Sequence, residues 1–261
     1  MIFIGKRNIA TFFKRILNIQ NIYSVVNFFL IYEKPFKAIL DEIFSLGSYP
    51  KTISVKTPIG KKKITLYSSN DFSTLNLIFC RKDYFYNKDY KVILDIGSNI
   101  GISSFYWLTR NKKNKVYCYE PSTDNFNKLK KNLTMFQKRI FLNKKAVSNK
   151  SFTTTLNLEK TGVYSSINKL KNIRFINKEK CKVVDINKCI SKIIGINGRL
   201  DMIKIDSEGE EIKTLYNIKK NYINVIKCVN IDLDKNFDKK RFLLRYKISK
   251  IGSATRLVNN E

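Results

Sequence analysis

Hydrophobic residues follow a helical spacing in the first part of the chain and an alternation of strand and helix patterns in the rest. Over residues 1–50, apolar positions recur every three or four residues, which predicts helices, the second beginning at "EKPF" and ending near Gly47. The segment "KTISVKTPIGKKKITLYS" predicts a β-hairpin that turns at residues 58–60. The segment "NDFSTLNLIFCRKDYF" predicts one more helix before the pattern changes.

From Tyr90 onward, short apolar runs alternate with helical patterns. Strands are predicted at residues 91–94, 115–119, 140–147, 200–205 and 225–231, with helices at 102–110, 125–136, 186–194 and 210–218. Two further β segments are "TTTLNLE" and "KCKVVD". This alternation indicates βαβ units and an α/β fold with a mostly parallel, doubly wound sheet. We therefore expect an N-terminal helical and hairpin extension over residues 1–70 and a larger domain over residues 71–261.

The loop after the first strand of that domain, "VILDIGSNIG", has the features of a cofactor site. Ligands of open α/β sheets bind beyond the carboxyl ends of the strands, and Gly97 and Gly101 permit a tight turn there. Dinucleotide sites use G-x-G-x-x-G, whereas this loop has Asn99 at the middle glycine position and Asp95 just upstream. Because Asp95 would repel a pyrophosphate, the pattern favours S-adenosylmethionine (SAM), which carries an ammonium and a sulfonium. The amide of Asn99 is expected to bind its amino-acid end.

A second acidic residue ends the next strand, in "VYCYEP". A carboxylate at this place accepts hydrogen bonds from both ribose hydroxyls, so Glu120 indicates an adenosine-type cofactor. NAD sites use the same device, and Glu120 alone does not distinguish the two cofactors. The alternative interpretation is an exposed loop glutamate.

Further acids follow another core strand in "DMIKIDSEGEE". Asp206 and Glu208 precede the helix in a D-x-E-G turn, at the same sheet edge as the predicted cofactor. Acids also favour helix N-termini, where they offset the helix dipole, and this role is expected for Glu210 and Glu211. Asp206 and Glu208 are the candidates for a role in the site.

The chain resembles the FkbM-type SAM-dependent methyltransferases over roughly Asp71 to Asp232. The resemblance rests on "ILDIGSNIGISS", "VYCYEPSTDNFNKLKKNL", "NKKAVSN" and "DMIKIDSEGEEIKTL", in the order and spacing of that family. The upstream segment "SSNDFSTLNLIFCRKDYF" also resembles the family, with Asp71, Arg81 and Tyr84 at its usual positions. The resemblance implies a class I Rossmann-like methyltransferase fold, SAM as cofactor, and methylation of a hydroxyl group on a glycan, a glycolipid or a natural product.

The family pattern also implies the roles of individual residues. Asp206 and Glu208 are expected closest to the transferred methyl group, and Glu120 at the ribose. The residues implied in cofactor binding are Asp95, Gly97, Ser98, Asn99, Gly101, Glu120, Pro121, Ala146 and Asp71. The chain departs from the family where an E-x-H is often found, because "NIDLD" places Asp232 and Asp234 there.

The chain contains no histidine, so the proton of an acceptor hydroxyl needs another base. Asp206 or Glu208 is the best candidate for that base. A metal-assisted variant remains as an alternative, with Asp206, Asp232 and Asp234 as oxygen ligands of Mg²⁺ that lower the pKa of the hydroxyl.

The strongly basic composition raises the question of anionic partners. The 50 basic and 21 acidic side chains give a net charge of +29, with the lysines spread along the chain and not gathered in one stripe. A general compositional bias is the favoured explanation. RNA ribose methylation and a degenerate module that binds anionic glycolipid stay as alternatives. The Asn/Asp-Pro-Pro-aromatic and Pro-Cys motifs of base-methylating enzymes do not occur, so a nucleic-acid substrate is disfavoured.

Five cysteines without a C-x-x-C pair are typical of reduced thiols in a cytoplasmic protein. No secretory signal is evident, and the apolar run at residues 22–32 is too short to span a bilayer. Upstream, one helical face is predicted to carry Ile9, Phe12, Phe13 and Ile16 beside basic residues. Packing on the domain is the favoured role of this basic helix, and peripheral contact with the inner membrane face is the alternative.

Overall fold

The structure is a computed structural model that describes residues 3–4, 7–8, 19–44, 46–84, 86–159, 162, 165–168, 173–233, 237–238, 240–252 and 254–260. The chain forms two compact units, Met1–Asp83 and Tyr84–Glu261, which we describe separately. The boundary at residues 70 and 71 was drawn from the sequence pattern and stays a prediction.

The first unit contains helices and a β-hairpin. Its elements are β1 (Phe3–Ile4), β2 (Arg7–Asn8), α1 (Ile19–Ile31), α2 (Pro35–Phe44), β3 (Lys51–Val55), β4 (Lys62–Leu66) and α3 (Ser69–Phe79). Strands β3 and β4 pair antiparallel, as the sequence predicts. The short pair β1 and β2 replaces helix at the start of the chain. The predicted helical face with Ile9, Phe12, Phe13 and Ile16 lies outside the described residues.

The start of α3 has a reciprocal cap that its sequence explains. The hydroxyl of Ser68 accepts a hydrogen bond from the Asp71 N–H at 3.2 Å, and the Asp71 carboxylate accepts one from the Tyr67 N–H at 2.8 Å. A serine followed three residues later by an acid satisfies two backbone donors at once. The helix is therefore fixed at its first turn.

The second unit is built on one large sheet and one small sheet. Its strands are β5 (Val92–Ile96), β6 (Lys115–Tyr119), β7 (Ile140–Asn143), β8 (Ala146–Ser148), β9 (Phe152–Glu159), β10 (Phe175–Asp185), β11 (Met202–Ile205), β12 (Cys228–Asp232), β13 (Tyr246–Ile251) and β14 (Ala254–Asn259). Its helices are α4 (Ile102–Arg110), α5 (Thr123–Leu133), α6 (Ile186–Asn197), α7 (Glu211–Tyr216), α8 (Lys220–Ile223) and α9 (Lys240–Leu243).

The seven strands of the large sheet have the order β7-β6-β5-β11-β12-β14-β13. Strand β14 is antiparallel to both neighbours, and the first five strands of the order are parallel. This is the arrangement of the class I Rossmann-like methyltransferases, and the predicted fold is confirmed. The chain leaves β5 toward β6 and returns on the other side at β11, so the crevice for a ligand lies at the carboxyl ends of β5 and β11.

Two parts of this unit differ from the sequence prediction. The strand predicted at residues 140–147 is divided, because β7 joins the large sheet whereas β8 pairs with β10 in a three-stranded sheet completed by β9. The terminal hairpin of β13 and β14 was not predicted, since β13 carries two lysines and both strands show only a weak alternation. Strand β5 is buried at all five positions, which explains why its residues other than Asp95 are apolar.

All five cysteines are buried and free. In the part of the chain that the structure describes, no helix is long and apolar enough to cross a membrane.

Candidate active site

The loop between β5 and α4 takes a left-handed backbone conformation at every second residue. The φ angles are 71° at Gly97, 48° at Asn99 and 94° at Gly101. The N–H groups of Gly97 and Ser98 both donate to the carbonyl oxygen of Tyr119, at 3.0 and 3.1 Å, which ties the loop to the end of β6. Asparagine tolerates the left-handed region better than most side chains, which accounts for its place in this loop.

Gly97 is the point of closest approach between the loops that follow β5 and β11. A Cβ atom built on Gly97 would lie 1.7 Å from the carbonyl oxygen of Asp206. The space above Gly97 is therefore filled by backbone, and no side chain fits there. The hydroxyl of Ser98 donates to the Asp95 carbonyl at 2.9 Å and supports the same turn.

Glu120 joins two loops at the carboxyl end of β6. One carboxylate oxygen accepts the N–H of Asn99 at 2.8 Å, and the other accepts the N–H of Ser122 at 2.9 Å. Burial raises the pKa of Glu120 to about 7, although these two N–H groups oppose the shift. A carboxylate has about four acceptor positions, so both oxygens keep capacity for the two hydroxyls of a ribose.

Asp95 is fully buried beneath the loop. One carboxylate oxygen accepts hydrogen bonds from the hydroxyls of Ser103 and Ser104 at 2.6 and 2.5 Å. The other oxygen lies 3.4 Å from the Lys204 ammonium. The negative charge of Asp95 is thus balanced by Lys204 inside the protein. From the sequence alone, we expected this charge to face the cofactor directly.

Lys204 occupies the centre of the site, and sequence reasoning missed it. Its ammonium donates to the carbonyl oxygens of Ile96 and Gly97 at 3.2 and 2.5 Å and lies 3.3 Å from an oxygen of Asp206. Burial lowers the pKa of Lys204, but Asp206 and Asp95 outweigh it and hold the pKa well above the ordinary value. The signal in the sequence was a lysine inside the apolar strand "MIKI", since a buried lysine is rare unless it is paired.

Asp206 lies between Lys204 and Tyr84 at the carboxyl end of β11. The Tyr84 hydroxyl is 3.4 Å from the same Asp206 oxygen, and the Tyr84 ring stacks on Trp107 with 5.8 Å between centroids. Burial, and then Asp206, raise the pKa of Tyr84, so its hydroxyl stays protonated and able to donate. The two carboxylates and one ammonium of Asp95, Asp206 and Lys204 sum to one negative charge, and Asp206 is the partly exposed member.

Glu208 sits in the turn before α7 with a φ of 47°. Burial raises its pKa to about 8, and the neighbouring Asp206 and Glu211 add to the shift. Glu211 accepts the N–H groups of Ser207 and Gly209 at 2.7 and 2.8 Å, which is the helix-start role predicted for it. The turn thus holds Glu208 near Asp206.

Glu210 makes contacts beyond the helix-start role predicted for it. Its side chain is buried and accepts hydrogen bonds from the Ser148 hydroxyl and, at 2.9 Å, from the amide of Asn168. It therefore connects the start of α7 to β8 in addition to any effect on the helix dipole.

The other predicted site residues occupy several places. Pro121 follows Glu120 before α5, and Ala146 begins β8 opposite Val183 of β10. Asp71 lies in the first unit, where it caps α3. The cofactor roles of these residues stay predictions.

The metal-assisted alternative requires Asp206, Asp232 and Asp234 to lie together. Asp232 ends β12 with an exposed side chain, whereas Asp234 lies outside the described residues. No group of three or more acidic, cysteine or histidine side chains among those described residues is close enough to hold a metal ion.

The strand order is that of the class I SAM-dependent methyltransferases. Residues 95–246, more than half of the chain, match the Methyltransferase FkbM domain, and the chain belongs to that family. The predicted family and cofactor are thereby confirmed. No curated protein gives a significant match.

Several solved structures with some similarity to this chain are described as methyltransferases or as complexes with S-adenosyl-homocysteine. They include TrmK of M. capricolum in complex with S-adenosyl-homocysteine, with 14% identity, a TM-score of 0.34 and coverage of 66% of this chain and 64% of that one. A methyltransferase from Geobacter sulfurreducens has 14% identity, a TM-score of 0.35 and coverage of 65% and 70%. The N-terminal domain of human METTL16 in complex with S-adenosyl-homocysteine has 14% identity, a TM-score of 0.35 and coverage of 74% and 70%.

The raised pKa of Glu120 leads to a prediction on SAM affinity. Ribose hydroxyls donate to an ionised carboxylate, and Glu120 takes up its proton as pH falls through about 7. The affinity for SAM is expected to rise roughly tenfold between about pH 6 and pH 8, because the ionisation of Glu120 is coupled to binding. Calorimetric titration with SAM measures it. The Glu120→Gln variant should bind more weakly and lose this pH dependence, and an unchanged pH dependence in the variant would contradict the assignment.

Proposed function

We propose that the chain transfers a methyl group from SAM to a hydroxyl group of a sugar in a glycan or glycolipid, or of a small natural product. The observation that carries the proposal is the pair of carboxyl groups, Asp206 and Glu208, at the sheet edge where the Gly97 loop meets β11. Their environments differ, because Asp206 is ion-paired to Lys204 whereas the pKa of Glu208 is raised to about 8. Two carboxyl groups held in different states can take different roles.

The residues around the loop fit the cofactor. When bound, SAM supplies a methyl group on a sulfonium for in-line displacement by the acceptor oxygen. Gly97 and Gly101 let the loop between β5 and α4 pack closely on Asp206 and on Leu129, which fixes the loop beside the proposed site. Glu120 keeps acceptor capacity for the ribose. Asp95, Asp206 and Lys204 together carry one net negative charge, which is partly exposed at Asp206 and favours a cation beside it.

We propose that Glu208 is the base that accepts the proton of the acceptor hydroxyl. An alcohol is a weak nucleophile, and a positioned base adds about 10²–10⁴ in rate, most effectively when its pKa lies near the working pH. Glu208 meets that condition with a pKa of about 8. Asp206, which Lys204 and Tyr84 hold at one oxygen, keeps its other oxygen to orient the acceptor hydroxyl.

The first experiment identifies the acceptor. Purified protein is incubated with methyl-labelled SAM and separate panels of glycans, glycolipids, small hydroxylated compounds and RNA. Label in a sugar or small-molecule hydroxyl supports the proposal, whereas label in RNA ribose would establish the alternative substrate class. A protein with no measurable affinity for SAM in calorimetry would contradict enzymatic methyl transfer altogether.

With an acceptor in hand, Glu208→Gln is expected to lower kcat by at least about 10²-fold, because the hydroxyl proton loses its base. The affinity for SAM should stay near the wild-type value. The wild-type rate should rise with pH up to about 8, and the variant should lose that rise. Asp89→Asn is the matched control, since Asp89 is an exposed acid of the same unit. Full turnover in Glu208→Gln would remove Glu208 from the mechanism.

A further inference from the structure

Helices α1 and α2 of the first unit expose one continuous apolar surface. We call it the apolar helix face, and its residues are Val25, Val26, Phe29, Leu30, Phe36, Leu40 and Phe44. Residues 25, 26, 29 and 30 lie on one side of α1, and residues 36, 40 and 44 recur at four-residue spacing on α2. The rings of Phe29 and Phe36 meet edge to face with 5.2 Å between centroids, so the two helices contribute to the same surface.

The apolar helix face is widely exposed to solvent, although its side chains are large and hydrophobic. Leu30 is 62% exposed and Phe36 71% exposed, whereas Phe28 and Ile31 on the opposite side of α1 are buried. Helix α1 therefore already packs on its unit through another face. Exposed apolar patches of this size mark sites of interaction with a membrane or another protein.

The charges around the face indicate which of these it meets. Exposed lysines occur in the same unit at positions 34, 37, 56, 61 and 63. In the described part of that unit, Glu33 is the one exposed acidic side chain, and it is ion-paired to Lys61. Lys34 lies in the turn between α1 and α2, and Lys37 directly follows Phe36. Apolar side chains with Lys34 and Lys37 beside them match an anionic lipid surface, where the lysines meet headgroups and the apolar groups enter the acyl boundary.

We propose that the apolar helix face docks the protein on the surface of a bilayer that contains anionic lipids. The contact is peripheral, because the two helices lie along the interface with one side inserted. It involves only the first unit and is independent of the proposed methyl transfer. An acceptor carried by a lipid would become accessible to the enzyme at such a surface, but the docking does not require one.

The test measures binding of the full chain to vesicles by co-sedimentation. Vesicles of phosphatidylcholine alone are compared with vesicles that also contain phosphatidylglycerol, and binding is expected to the second kind. Raising the NaCl concentration from about 0.1 to about 1 M should weaken it, because the lysine contribution is screened. The double variant Leu30→Ser/Phe36→Ser should lose at least about tenfold in partitioning, since two apolar side chains no longer enter the bilayer.

The matched control is Leu244→Ser, which removes an equally apolar side chain that is 98% exposed in the second unit. It should bind vesicles like the wild type. Equal loss in Leu244→Ser and in the double variant would overturn the proposal, as would no binding to anionic vesicles. A wild-type dimer in analytical ultracentrifugation that becomes a monomer in the double variant would instead show that a second copy covers the face.

A fluorescent probe gives a second measurement that needs no loss of binding. The native cysteines are buried, so a single exposed cysteine introduced as Leu40→Cys can be labelled selectively with an environment-sensitive dye. Its emission should shift to the blue on anionic vesicles and be quenched by nitroxide-labelled lipids. The same dye at Leu244→Cys should show neither change, and a silent dye at position 40 would overturn the insertion of this face.

Discussion

Replacement of Lys204 by methionine is expected to destabilise the second unit by about 3–5 kcal/mol, because breaking a buried ion pair leaves an uncompensated charge. The carboxylate of Asp95 would remain fully buried with only two hydroxyl donors, and the backbone oxygens of Ile96 and Gly97 would each lose the hydrogen bond from the ammonium. Chemical denaturation monitored by circular dichroism measures the free energy of unfolding. Lys247→Met, at an exposed position of β13, is the control and should change it by less than about 0.5 kcal/mol.

The pH dependence of this loss follows from the direction of the Lys204 pKa. A raised pKa in the folded state gives a contribution that is complete below the ordinary lysine value of about 10.4 and is lost only at more alkaline pH. The wild type should therefore keep this stabilisation throughout the neutral range.

A double variant separates the ion pair from simple packing. Asp95→Asn/Lys204→Met removes both charges of one pair, so it is expected to be more stable than Lys204→Met alone. If the double variant were no more stable than the single one, the stabilisation by Lys204 would come from its methylene groups and backbone contacts, and the electrostatic account would be wrong.

Lys204 shows why the sequence predicted the positions of the acidic residues better than it predicted their surroundings. Asp95, Glu120 and Asp206 were found as acids at strand ends, because short motifs and strand patterns are local signals. The pairing of Lys204 with Asp95 depends on the parallel register of β11 against β5, in which these two residues are direct neighbours. More than a hundred residues separate them along the chain. Register across that separation is not readable from one sequence.

The fold was predictable where local patterns agreed with the tertiary structure. Strands β5, β6, β11 and β12 are buried at all positions except one end residue each of β6 and β12, and their alternation with helices predicted the parallel sheet. The run over residues 140–147 reads as one strand, but its two ends join different sheets. Only the arrangement of β10 beside β8 makes that division necessary, and β10 comes much later in the chain.

Gly97→Ala is expected to abolish SAM binding, with a large loss of stability as well. A Cβ at this position would lie 1.7 Å from the Asp206 carbonyl oxygen and 2.8 Å from its carbon, and these are backbone atoms that cannot rotate away. The φ of 71° adds strain for any residue with a Cβ. The loops after β5 and β11 must therefore separate, which moves the Asp206 carboxylate away from Lys204.

The expected measurements are no detectable heat of SAM binding and a free energy of unfolding lowered by more than about 2 kcal/mol, the range of severe backbone and overpacking effects. Gly60→Ala is the control, because Gly60 also has a positive φ, of 94°, but nothing lies within 4 Å of a Cβ built there. It isolates the cost of the backbone conformation from that of the collision. Because a Cβ at Gly60 meets no atom, its variant should keep the local structure and bind SAM normally. If Gly97→Ala bound SAM as tightly as Gly60→Ala does, the close approach of the two loops would not be what shapes the cofactor site.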